Sequence, residues 1–453
     1  MNITLFLSIF SALGILYFFI GLYASKNVKT NVDYFLAGRN LGFIPVTFTL
    51  IATQLGGGML LGTSEQAYKI GIFGILYTLG MAIGFILLGL GLASKLQSLN
   101  IATTAELFQT HYNSLTLKKV ASLLSVITMS GLLVGQVVAS KTLLAGLGIS
   151  NEFIFIAFWA FVIAYTMVGG LKAVVFTDVA QVFVIIIIFV GIFIYNLLQE
   201  PASFFSPAAL IDLQKQFDFK GISTSTFIAT IMLPALFSLI EQDLAQRFFA
   251  ARTKGIAMLS AFASSFFMLT FALIPIYLGM KANMLNLTVP TGASPLIPVI
   301  EALTNELVTI LAVCGIIAAI TSTADSLLCA VSSNIAQDFD FSMLGFTSSL
   351  TLSKYITLIT GIVALAASYI VPQDIIGILI GSYEISVSCL LVPLLFCYFN
   401  PNVKRNAAWG GVLGGLTGYI LFRIIPFPIP KEIASIGLSF LGYVIGGRIK
   451  KNF

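Results

Sequence analysis

The sequence predicts an all-α, polytopic membrane protein of about 13 transmembrane helices, forming one domain over residues 1–453. Three observations carry that prediction. Apolar residues make up 58% of the chain and charged ones 9%, with a mean hydropathy of +1.02, whereas a soluble domain carries about a quarter charged residues. The charge deficit extends along the whole chain, so nearly all of it must sit in the bilayer. Apolar runs of the ~20 residues that cross a hydrocarbon core recur throughout, joined by short connections.

Polar breaks and Gly/Pro punctuation delimit the elements. The first run, 3–24, lacks a basic start and is too long for a cleavable signal peptide, so it reads as a span. Segments 43–62, 70–95, 117–146, 151–169 and 171–198 follow, then 224–247, 254–280, 305–337, 350–371 and 374–399. The last two are 406–425 and 432–448. The longest polar connections, 199–223 and 281–304, are too short to fold as separate soluble domains.

Two of these segments invite interruption. The second carries IATQLGGGMLLGT, in which Gly56, Gly57 and Gly58 run together. Each glycine costs about 1 kcal/mol relative to alanine in a helix, so this turn is predisposed to open. Close packing through small residues is the alternative, but such motifs space their glycines by four. The seventh segment carries Pro234 in TIMLPALFSLIEQD, five helices later. Helices 2–6 (about 43–198) and 7–11 (about 224–399) therefore read as inverted five-helix repeats, each opening with a disrupted helix. Segments 3–24, 406–425 and 432–448 flank them.

Orientation follows from Lys and Arg. With the tail RIKKNF inside and the N-terminus outside, sixteen of the 23 basic residues fall on cytoplasmic loops and helix ends. That bias accounts for the net charge of +5, and no nucleic-acid patch is needed. The expected location is a plasma membrane, and the economy of the loops points to a prokaryotic inner membrane. No oligomeric state is assigned. The four cysteines all lie in apolar segments and read as small core residues. The single histidine, His111, falls in a polar loop, so no His-based metal centre can be built. With no metal motif, no nucleophile elbow and no His near a carboxylate, an enzyme is not expected.

The ninth segment, IIAAITSTADSLLCAVSSN, gives the sharpest signal. Ala319, Ser322, Thr323 and Ser326 fall at i, i+3, i+4 and i+7 on one helix face, with Asp325 beside them. Sodium is a hard cation that prefers oxygen ligands. Two hydroxyls, a carbonyl near Ala319 and carbonyls freed at an opened turn would make a five-oxygen site. Hydroxyls bonded back to their own helix are the alternative, but an aspartate at a helix centre costs roughly 2.5–3.5 kcal/mol on insertion scales and calls for a function. Further intramembrane carboxylates are Asp178, Glu241, Asp243 and Glu384. Asp243 is also readable as a structural partner of Arg247, one turn on. Glu241 and Glu384 show no basic partner in sequence.

These residues carry a resemblance. GGLKAVVFTDVAQ (Gly169 to Gln181) resembles the signature of the sodium:solute symporter family, ASKNVKTNVDYFLAGRNLG its first cytoplasmic loop, and AAITSTADSLL its sodium-site helix. The motifs occur in the family's order, and the resemblance covers essentially the whole chain. It implies a LeuT-like fold and sodium-driven alternating access, with Na+ and a small polar solute as the ligands. Carried onto this sequence, the sodium ligands would be the carbonyls of Ala52, Leu55 and Ala319 and the hydroxyls of Ser322 and Thr323. Some members hold a second cation, for which the matching positions are Asp178, Ser322, Asp325 and Ser326. Asp325 stands where those members have a serine.

Within the family, TQLGGGMLLGTSEQAY and the polar end of helix 7 look most like the high-affinity choline transporters. Their tryptophan cage is missing: Trp159 and Trp409 are the only tryptophans, and Gln54 and Glu241 fall where cage residues are expected. Gln54, Tyr77, Gln136, Phe237, Glu241 and Glu384 are the expected solute residues, suited to a polar solute bearing an amine. Proton coupling through Asp325 or Glu241 is the alternative within transport. A transporter-like sensor module is the alternative outside it, though only about five residues follow the last helix.

Overall fold

The computed structural model describes residues 2–26, 28–149, 151–200, 223–289, 294–342, 349–371, 375–400, 402–425 and 429–449. Among them there is no strand, and ten helical runs are long and apolar enough to cross a membrane.

Helix α1 (Ile3–Ser25) starts from Asn2, whose side chain accepts the Leu5 N–H at 3.2 Å. A capping box between Thr30 and Asp33 begins the short α2 (Asn31–Leu36). The expected second span is two helices, α3 (Phe43–Gln54) and α4 (Thr63–Ile70), separated by a break at Leu55 and Gly56 and, after helical Gly57, a π-helical turn at Gly58–Gly62. Gly71, at φ +64°, then turns the chain into α5 (Leu76–Leu87) and α6 (Ala93–Ser98). After α7 (Glu106–Thr110) come two long helices, α8 (Leu115–Gly146) and α9 (Glu152–Gln199). Helix α9 contains both spans expected over 151–198, joined at Gly170 with φ 55°. There an added Cβ would lie 2.5 Å from the Tyr34 carbonyl oxygen, so a side chain has neither the conformation nor the space.

The seventh span is also divided, into α10 (Thr224–Ser238) and α11 (Gln242–Ala250). The interruption is not at Pro234, which lies within α10. It comes a turn later, at Leu239–Glu241, where the backbone of Glu241 is extended. The remaining helices are α12 (Lys254–Met284), α13 (Leu296–Leu303), α14 (Glu306–Asp338), α15 (Leu350–Ala367), α16 (Ile375–Phe399), α17 (Arg405–Ile424) and α18 (Lys431–Arg448). The connection 281–304 thus contains a short helix, and most of 199–223 lies outside the described residues.

Burial separates axis from periphery. In the most apolar window of α14, 83% of residues are buried, against 11% in α1. Helix α14 is the axis, packed mainly on α8 and α9, and α1 presents Ile15, Phe19 and Tyr23 outward. Helices α17 and α18 meet through small residues, Gly410 against Gly442, Gly414 against Leu438 and Gly418 against Ser435.

Candidate functional site

The opened turn after α3 faces the middle of α14. Ser322 Oγ donates to the Ala52 carbonyl at 3.2 Å and to the Ala319 carbonyl at 2.9 Å. Thr323 Oγ1 reaches the same two carbonyls at 3.1 and 3.2 Å. The hydroxyls do bond back to their own helix, but each also crosses to α3. Four of the five expected sodium oxygens therefore meet in one place. The fifth residue, Leu55, is wholly buried at the break itself. Neutral carbonyls and hydroxyls suit a monovalent hard cation. Among the described residues no group of three His, Cys, Asp or Glu is placed to hold another metal.

One helical turn along α14 the arrangement departs from the expected second cation site. Asp325 is held by the Tyr165 hydroxyl and by Thr166 Oγ1 (2.7 Å), both from α9. Asp178 accepts from Thr49 Oγ1 at 2.5 Å. Ser326 is taken by the guanidinium of Arg247, whose Nη2 donates to its hydroxyl at 2.5 Å. With Ser322 engaged by Ala52 and Ala319, the four expected residues thus have four different sets of partners. The supposed Asp243–Arg247 pair is also different in kind: Arg247 Nη1 donates to the Asp243 backbone carbonyl at 2.8 Å. The Asp243 carboxylate accepts the Leu244 N–H at 2.8 Å.

Beside the four-oxygen cluster lies a small polar cavity whose lining includes Gln54, Tyr77, Gln136, Glu241 and Thr323. It touches both broken helices. Gln54 Nε2 donates to Glu241 Oε2 at 3.3 Å, and Gln136 Oε1 accepts the freed Gly57 N–H at 2.9 Å. The Tyr77 and Tyr383 hydroxyls are 2.8 Å apart, and Phe237 stacks on Tyr383 with ring centroids 4.6 Å apart. Asp243 also lines the cavity, and its Oδ2 has no hydrogen-bond partner among the described residues.

Glu384 does not belong here. It is paired with Arg423 of α17 at 2.8 Å and Lys431 of α18 at 3.1 Å. Its neighbour Tyr383 faces the cavity instead, since successive helix residues point about 100° apart. In the sequence nothing marks the uncharged Tyr383 beside the more conspicuous Glu384.

Two broken helices facing each other across a buried polar cavity, in a bundle of membrane spans, define a secondary carrier. The solved structures place its architecture. The chain superimposes on a Na+-coupled sialic acid symporter in a substrate-bound outward-open state with TM-score 0.79 and 17% identity, covering 98% of this chain and 96% of the other. It matches inward-facing Mhp1 with TM-score 0.56 and 13% identity over 90% and 89%. The fold is LeuT-like. Residues 34–418 match the sodium:solute symporter family, and the chain belongs to that family. It is a multi-pass membrane protein and a sodium-coupled symporter of a small solute. Among curated relatives, it is 24% identical to high-affinity choline transporter 1 of Torpedo marmorata over 451 residues, covering 90% of this chain and 74% of that one. It is 32% identical to high-affinity choline transporter 1 of Caenorhabditis elegans over 164 residues, 36% of this chain and 28% of that one.

Proposed function

We propose that this symporter imports a small solute bearing an amine with N–H donors, driven by sodium held between α3 and α14. The observation that carries the reading is the convergence of Ser322 and Thr323 on the Ala52 carbonyl across the helix interface. Sodium replaces those hydroxyl-to-carbonyl bonds, the hydroxyl protons turn away, and the opened turn is fixed. Gln54, one residue from Leu55, then sets the solute cavity with Glu241. Glu241 and Asp243 supply negative charge, and Gln54, Gln136 and Tyr77 supply polar contacts. A quaternary ammonium would call for an aromatic cage. Among the described residues the aromatic lining is Tyr77 and Tyr383, and Trp159 is engaged elsewhere, donating to Ser140 at 2.9 Å. Choline, the solute named for the curated relatives, is therefore not the solute proposed here.

The single domain is proposed to work as two halves, residues 43–198 and 224–399, with the flanking helices outside them. The Lys/Arg distribution supports an external N-terminus and cytoplasmic C-terminus, and the economy of the loops supports a prokaryotic inner membrane. Proton coupling is a second reading, favoured by Asp325, whose carboxylate is held by hydroxyls.

Thermal unfolding of the purified protein in sodium against potassium, at equal ionic strength, tests the assignment. A ligand of the folded state stabilises it by RT ln(1 + [L]/Kd). Sodium alone should raise Tm, and the Ser322→Ala/Thr323→Ala double variant should abolish the rise. Equal responses to both ions, with stabilisation on acidification, would shift the coupling to a proton.

A further inference from the structure

Arg247 is fully buried on α11, and nothing in the cycle above uses it. A guanidinium keeps its charge throughout the physiological range and is more weakly hydrated than an ammonium, which makes it the cation a protein can bury. It must then find acceptors, and it finds them on three helices. Nε donates to Thr49 Oγ1 on α3 at 3.3 Å, Nη1 to the Asp243 carbonyl at 2.8 Å and Nη2 to Ser326 Oγ on α14 at 2.5 Å. The hydroxyls pass the interaction on. Thr49 Oγ1 donates to Asp178 Oδ2 at 2.5 Å. Thr53 gives its own proton to the Thr49 carbonyl at 2.7 Å, which leaves the Ser326 proton to bridge the 3.1 Å to Thr53 Oγ1.

We propose that the Arg247 guanidinium is a tethered cation filling the oxygen cluster of Thr49, Asp178 and Ser326, so that the protein binds one free sodium ion and not two. The proposal rests on the sodium reading of Ser322 and Thr323. A second ion would need the lone pairs of Thr49 and Ser326, and both face guanidinium N–H groups. Ser326 lies four residues beyond Ser322, about 6 Å along the helix. An ion there would sit against two positive charges where water is scarce. The additional carboxylate it could use, Asp325, is turned towards Tyr165 and Thr166. Asp178 Oδ1 has no hydrogen-bond partner among the described residues, but a single oxygen does not make a site. The fixed charge thus supplies the neutralisation that a second ion would otherwise bring, and it cannot leave.

Equilibrium binding of radioactive sodium to the purified full-length protein counts the sites. One ion per molecule is expected. Arg247→Gln should bind two, and Arg247→Gln with Asp178→Asn one again. Arg247→Lys restores a tethered charge and should hold the count at one. Two ions on the unaltered protein overturn the proposal, as does a folded Arg247→Gln that still binds one. If Arg247→Gln does not fold, the counts on the unaltered protein and on Arg247→Lys decide. A count of two that falls to one in Ser322→Ala/Thr323→Ala keeps the sodium site and rejects the tethered cation. No sodium bound to the unaltered protein removes the sodium site itself, and this proposal with it.

Discussion

Between α3 and α4 the chain opens at Leu55 and Gly56 and offers backbone, whereas between α10 and α11 it opens at Leu239–Glu241 and offers side chains. The first opening runs into three glycines, Gly56 to Gly58, and it is closely walled. A Cβ on Gly56 would lie 2.6 Å from Thr323 Oγ1 and 2.7 Å from Gln136 Oε1, and one on Gly58 would lie 2.5 Å from Leu379 Cδ1. The second opening leads into three buried polar residues, of which Glu241 and Asp243 line the cavity and Gln242 bonds elsewhere. Glu241 meets Gln54. Gln242 accepts the Thr104 N–H at 2.7 Å and donates to the Ala102 carbonyl at 3.0 Å. Asp243 lines the cavity. A small ion needs oxygens at fixed spacing, which backbone provides. A solute needs a chosen charge and shape, which side chains provide.

Substitutions in the two openings should therefore fail differently. The largest effect is expected from Gly56→Ala, whose methyl group must displace the Thr323 hydroxyl. Overpacking of this kind costs about 1–3 kcal/mol, and here it falls on an ion ligand, so the sodium-dependent rise in Tm should vanish. Gly255→Ala, in open space, is its control. A sodium response that survives Gly56→Ala would show that the first opening does not hold the ion. Next comes Glu241→Gln, which should keep the sodium response while weakening solute binding by about tenfold or more, the scale of a hydrogen bond to a charged group. Loss of the sodium response in that variant would erase the distinction between the openings. The smallest effect on binding belongs to Glu384→Gln. Glu384 is buried while Arg423 and Lys431 are partly exposed, at 43% and 38%, so the lost pairing should cost about 1–3 kcal/mol of stability, between the exposed and buried limits, with sodium and solute affinities unchanged. A loss of solute binding would return Glu384 to the cavity.

The parts of this arrangement that depend on one helix were legible in the sequence. Run-together glycines announced the opening after α3, and the spacing of Ala319, Ser322 and Thr323 placed three of the residues proposed to hold the ion on one face. The parts that depend on which helix packs against which were not. Nothing local places Arg247 beside Ser326, 79 residues away, or brings Arg423 and Lys431 to Glu384. Pro234 signalled a disturbed helix but not the turn at which it would open. A proline frees the carbonyl one turn back, here that of Thr230, yet α10 runs on past Pro234 to Ser238. The polar run Glu241–Asp243 was the better marker of the break, because its side chains find partners on neighbouring elements.

The glycine contacts between α17 and α18 have a practical use. Backbone rests on backbone there, leaving no slack for sliding, and Glu384 ties both helices to α16. The pair is a stiff handle on the helix that contributes Leu379 and Tyr383 to the cavity wall. Leu441 and Ile445, on the outward surface of α18, are 55% and 62% exposed. A spin label or fluorophore placed there would follow the tilt of the cavity wall from the rim of the bundle, without altering any residue assigned to the ion or the solute.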